Sequence, residues 1–134
     1  MEKKSTKKKI NVKLINQKPT PVSEVYVLSN EWNDRHGDRD SNTKVYSTKE
    51  KADEAMKSDI KEYLIELDAV KAKTGDTKLL IDHKAVAEIN GESLTKDRSL
   101  DTVLKTAVKD GYIEINVDSN GTNAYWSVSR EEVL

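Results

Sequence analysis

The sequence predicts an α+β fold: a small antiparallel sheet with about three helices. Three observations predict it. Short runs such as "VYVL" (25–28), "YIEINV" (112–117) and "AYWSVS" (124–129) carry apolar residues at strand spacing. Two longer stretches, 48–70 and 99–110, repeat apolar residues every three and four positions, the period of a helix. Between the last two strand runs lies "DSNG" (118–121), whose Asn-Gly suits a primed hairpin turn because both residues tolerate positive φ.

The chain has 134 residues, 35% hydrophobic and 35% charged, with no Cys and no Phe. That is poor in apolar material, so the core must be small and aliphatic, topped by Trp32 and Trp126. Absence of Cys excludes disulfides, thiolate metal sites and cysteine nucleophiles, and fits a reducing cytoplasm. No apolar run reaches membrane-spanning length, and no apolar stretch follows the basic start, so neither a membrane partner nor a secretory leader is expected. The net charge of −1 hides an asymmetry. Residues 1–18 hold seven Lys and one acid, for +6; the remaining 16 basic and 23 acidic residues give the body −7. The organisation expected is a basic arm, 1–21, and a single α+β domain, 22–134.

Element by element, "INVKLIN" (10–16) alternates as an edge strand before Pro19 and Pro21 break it. "SEVYVLSN" (23–30) is a strand with Val25 and Val27 on one side, Tyr26 and Leu28 on the other, and so a central one. Its partner is "TKVYS" (43–47), across a polar loop spanning 30–42. "STKE" (47–50) is a capping box with Ser47 as N-cap. It opens a helix whose stripe is Ala52, Ala55, Met56, Ile60, Tyr63, Leu64 and Leu67, fading near Gly75. "KLLID" (78–82) is extended. "HKAVAEIN" (83–90) is a short helix with Asp82 as N-cap and Gly91 as stop. Ser99 caps the next helix, with Leu100, Val103, Leu104, Ala107 and Val108 inward and Gly111 as stop. The terminal hairpin follows, and "SREE" (129–132) is a second capping box for one helical turn.

"SLDTVLKTAVKDGYIEI" (99–115), followed by a turn and "AYWSVS", resembles the winged helix-turn-helix family, covering about residues 48–129. The resemblance implies that helix 99–110 enters the major groove and that 118–123 form the wing. Lys105 and Lys109, with Lys96 and Arg98 just ahead, would make the contacts. The sequence departs from the family's needs: the wing has no Lys or Arg, and residues 77–134 hold seven basic against ten acidic groups. A second stretch, "VYVLSNEW…TKVYSTKEKADEAM", resembles small uncharacterised accessory proteins of phages and mobile elements. That likeness implies one sheet joining the hairpins at both ends of the chain under helix 48–70, with 76–110 inserted.

"NEWNDRHGDRDSN" (30–42) places Asp34, His36, Asp38, Asp40 and Asn42 at alternate positions. It lacks the Gly and terminal Glu positions of a calcium loop, and Arg35 and Arg39 neutralise its carboxylates. It reads as a solvated loop, with no metal or cofactor expected. His83 reads as a helix-start residue, since its neighbour Asp82 would point elsewhere. Trp126 shares the face of Ala124 and Val128, which favours the core over a stacking platform with Tyr125. No nucleophile elbow, phosphate loop or dinucleotide fingerprint is present, and no catalysis is expected. The function expected is a nucleic-acid-binding or regulatory module, contacting through Lys7, Lys8, Lys9, Lys96, Arg98, Lys105 and Lys109. The alternative is a phage or mobile-element accessory protein that binds a protein partner through its acidic body.

Overall fold

The computed structural model describes residues 23–34, 36–72, 78–117 and 121–133. The arm 1–21, with Lys7, Lys8 and Lys9, lies outside the described residues, as do Gly75 and positions 118–120 of the terminal turn.

Strand β1 (Ser23–Asn33) pairs antiparallel with β2 (Arg39–Tyr46), from Tyr26↔Tyr46 to Asn33↔Arg39. The expected long loop 30–42 is therefore wrong: most of it is ladder. The reversal is confined to Asp34–Asp38. Gly37 sits at φ 86°, its N–H donates to Asp34 C=O (3.1 Å), and Asp34 N–H donates to Asp38 C=O (2.8 Å). Asp34 Oδ1 accepts from the backbone N–H groups of His36 (2.8 Å) and Asp38 (3.1 Å). One carboxylate and one glycine thus make a tight turn out of what looked like a polar excursion.

Helix α1 (Lys49–Glu66) follows, and its N-cap is Thr48 rather than Ser47: Thr48 Oγ1 accepts from Lys51 N–H at 3.2 Å. Its buried face is Ala52, Asp53, Met56, Ile60 and Leu64. It stops earlier than its apolar stripe suggests, because Asp68 turns to φ 57° and Val70–Ala72 becomes strand β3. β4 (Leu79–Ile81) pairs with β3 and with β7 (Arg98–Ser99), giving a small three-stranded sheet.

The helix expected over 83–90 does not form. Ala85 and Val86 N–H both donate to Asp82 C=O at 3.0 Å, a single turn. Ala87 N–H then turns to Asn116 C=O (2.9 Å), and Glu88–Ile89 forms strand β5, which pairs with β6 (Glu92–Ser93). Between them Asn90 (φ 53°) and Gly91 (φ 82°) make a primed two-residue turn. Sheet pairing outcompetes a short helix that could bury only one turn.

Helix α2 (Leu100–Asp110) behaves as expected, with Ser99 as N-cap and Gly111 left-handed at φ 79°. β8 (Tyr112–Asn116) and β9 (Asn123–Val133) form the terminal hairpin. β9 runs straight through the expected helical turn at 129–132, because Glu24↔Glu132 and Ser23↔Val133 continue its ladder with β1.

The larger sheet has the order β2-β1-β9-β8-β5-β6. The described residues thus hold two helices and two antiparallel sheets, not the small sheet with about three helices expected. Nor is the C-terminal half winged-helix-like. No second helix precedes α2 in a helix-turn-helix among the described residues, and the β8–β9 hairpin lies inside a six-stranded sheet instead of standing free as a wing. Of the two strand pairings open in the sequence, the one joining the hairpins from both ends is present.

One core lies between this sheet and the helices. Leu28, Ile89, Ile113, Ile115, Ala124 and Trp126 come from the sheet; Met56, Ile60, Leu64, Leu100, Val103 and Ala107 come from the helices. Each fully buried aliphatic side chain contributes about 1.5–3 kcal/mol. Tyr63 meets Trp126 edge to face, with ring centroids 5.3 Å apart. Trp32, expected to cap the core, is 37% exposed because it lies near the hairpin end of β1.

Candidate functional site

Strand alternation divides the larger sheet sharply. The core residues Leu28, Trp126, Ala124, Ile113 and Ile115 share one face by register. The other face carries Val27, Ser29 and Glu31 of β1, Thr43 and Val45 of β2, Tyr125 and Ser127 of β9, and Tyr112 and Glu114 of β8. None of these nine is buried. Both helices pack on the core face, and no element among the described residues covers the other.

The open face is organised in rows across the strands. One row runs Ser41, Glu31, Tyr125, Glu114, so the Tyr125 ring stands between two carboxylates. The adjacent row runs Thr43, Ser29, Ser127, Tyr112. Tyr112 and Tyr125 meet edge to face at 6.3 Å and are 44% and 39% exposed. On the far side of Tyr125 lies an amide row: Asn33 Nδ2 donates to Asn123 Oδ1, and Asn116 Nδ2 donates to Glu88 Oε1 at 3.1 Å. These bonds hold the polar row in register, leaving the Glu-Tyr-Glu row as the part available to a ligand. Carboxylates beside aromatic rings suit a cation: the charges attract it, and the rings offer their negative faces.

Of the residues expected to contact nucleic acid, Lys105 and Lys109 lie on α2, and Lys96 and Arg98 lie in the stretch just before it. Lys105 and Lys109 lie on the exposed side of α2, but Lys105 Nζ is paired with Asp101 at 3.1 Å. Lys109 occupies the last turn, where it complements the helix dipole. Arg98 is half-buried in β7, opposite Ile81, at the other end of α2; Lys96 is exposed in the connection before it. Residues 118–120 of the expected wing and Lys7, Lys8 and Lys9 fall outside the described residues, while Gly121, Thr122 and Asn123 lead into β9.

His83 is not a helix-start residue. Its Nδ1 lies 2.8 Å from Asp97 Oδ1, and Asp97 Oδ2 takes Lys71 Nζ at 3.0 Å. These bonds, His83's first, hold the Asp97 carboxyl at about 2, below its ordinary 3.8, and Asp97 in turn raises the Lys71 ammonium. Asp82, His83 and Asp97 bring three potential metal-ligating atoms within 4.8 Å. Both Asp97 oxygens are already engaged, and Asp82 Oδ1 accepts from Lys84 N–H at 2.8 Å. The arrangement works as a staple between the 82–85 turn, β3 and the connection before β7.

From sequence, Tyr125 enters only as a stacking platform beside Trp126, and Tyr112, Glu31 and Glu114 are not singled out. Alternation within "YIEI" and "AYWS" already separates them from the core, but only the β1–β9 pairing brings Glu31 alongside Tyr125. Asp97 was missed because its partner is 14 residues away. No family model, no curated protein and no solved structure matches the chain. No helix among the described residues is long and apolar enough to cross a membrane.

Proposed function

We propose that the chain is a non-catalytic, cytoplasmic interaction module that holds a Lys/Arg-rich segment of a protein partner on its open sheet face. The observation that carries this reading is the Glu31–Tyr125–Glu114 row with Tyr112 beside it. A body of −7 supports it by favouring encounter with basic partners. The test is titration of the isotope-labelled chain with a short Lys/Arg-rich peptide, followed by amide chemical shifts. Shifts should concentrate on Glu31, Tyr112, Glu114 and Tyr125 and vanish in Glu31→Lys/Glu114→Lys. Binding that leaves these positions unmoved, or an equal response to a Glu-rich peptide, removes the reading.

The Lys-rich residues 1–18 favour a second reading, nucleic-acid binding, since Lys neutralises phosphate and releases counterions. Duplex binding is measured at two salt concentrations, with and without residues 1–18. A steep salt dependence lost on truncation assigns binding to the Lys-rich segment. Binding that survives truncation but fails in Lys105→Ala assigns it to α2.

A further inference from the structure

We propose that the outer edge of β2 pairs with the same edge of a second copy of this chain, antiparallel, about a two-fold axis through Asn42. This edge lies beside the open face and can pair whether or not that face is occupied. β2 ends the larger sheet, and its residues 39–45 are all exposed. Eight residues of ladder with no strand beyond them among the described residues form a template for another strand.

The hairpin turn fixes which backbone groups point outward. Asp34 N–H donates to Asp38 C=O, so these two form a hydrogen-bonded pair. Antiparallel alternation then makes 32/40, 30/42 and 28/44 the next such pairs. Asp40, Asn42 and Lys44 therefore turn their backbone groups toward β1, and Arg39, Ser41, Thr43 and Val45 turn theirs away. A two-fold partner must oppose outward residues with outward residues, which restricts the register to one centred on a residue, not between two.

Centred on Asn42, the register places Arg39 opposite the second copy's Val45 and Ser41 opposite its Thr43, all four with outward backbone groups. That gives about eight interchain hydrogen bonds, two for each of four pairs, once Asp40 Oδ1, which accepts from Ser41 N–H at 2.8 Å, yields that donor to the second copy's Thr43 C=O. The non-hydrogen-bonded pairs, whose side chains approach most closely, are Asp40 with the second copy's Lys44, twice, and Asn42 with itself. Opposite charges meet at both ends, and a hydroxyl pair lies on the other face. The charges that would repel an arbitrary strand from this edge become complementary toward a second copy alone.

The test is sedimentation velocity of the full chain over a wide concentration range. A monomer–dimer equilibrium is expected. Asp40→Lys and Lys44→Asp should each weaken it on the order of tenfold, since two attractive pairs turn repulsive. The double swap should restore most of the affinity. Thr43→Pro should abolish the dimer with the monomer's circular dichroism intact, because an edge strand tolerates Pro where the N–H faces outward. If that variant unfolds, the charge swap decides alone. A chain monomeric at every concentration, or a dimer indifferent to the single swaps or not regained by the double, overturns the proposal.

Discussion

At the scale of single residues, Asp97 shows how a side chain fixes distant segments through charge. Its carboxylate accepts from His83 and Lys71, which lowers its pKa to about 2 from 3.8. A group with a depressed folded-state value stabilises fully above its unfolded value and loses that contribution as pH falls through the folded one. The melting temperature of Asp97→Asn should therefore sit a few degrees below the parent at neutral pH. The gap should close as pH falls from 3.8 to about 2. A gap independent of pH over that range would remove the ion-pair explanation. Trp126 makes a different residue-scale case. It is 2% exposed, and its indole Nε1 has no hydrogen-bond partner among the described residues. Its value is its volume, packed on Tyr63. Chemical denaturation should give a loss of about 3–5 kcal/mol for Trp126→Ala. Trp126→Phe should cost under about 2 kcal/mol, because it also removes a buried donor.

At the scale of elements, what the sequence reveals depends on how local the deciding interaction is. α2 is legible throughout: Ser99, the Leu100–Val103–Ala107 stripe and Gly111 are all within thirteen residues of one another. The segment 83–90 misleads, because its Ala and Val residues suit a helix while the deciding contact, Ala87 N–H to Asn116 C=O, is 29 residues away. Asn90-Gly91 was a hairpin signal as good as Asn120-Gly121, but without the partner strand in view Gly91 reads equally well as a helix stop. The 30–42 segment fails for another reason. Polar residues filled both faces of strands at the sheet's exposed end, and composition alone suggested a loop. The alternation of Asp38, Asp40 and Asn42 was the strand period itself. The capping assignment can be measured: Thr48→Ala should cost about 1 kcal/mol in denaturant unfolding, and Ser47→Ala close to nothing. The reverse order would return the cap to Ser47.

At the scale of the whole molecule, the fold is built around β1 and β9, which pair over eleven positions although residues as far apart as Ser23 and Val133 meet. No local hairpin can substitute for that pairing, so most of the chain must be gathered before the sheet closes. Folding should therefore be slow for a chain of this size, in the range of about milliseconds to seconds by stopped-flow fluorescence of Trp126. Microsecond folding would mean that the hairpins and α2 are stable before β1 and β9 meet. The same topology explains why the open face escaped the sequence reading. Glu31 and Glu114 belong to opposite ends of the chain and flank Tyr125 only after the sheet has closed.

The Ser23↔Val133 pair also determines how the molecule responds to force. β1 begins where β9 ends, on one side of the sheet, and the ladder bonds lie perpendicular to both strands. Tension applied between these two positions acts along those bonds and meets them one pair at a time, like a zip opened from its end. A strand pair loaded in shear would have to break its bonds together. Held by these points, the domain should yield at low force and over a long extension, although the same eleven pairs form the centre of its equilibrium stability.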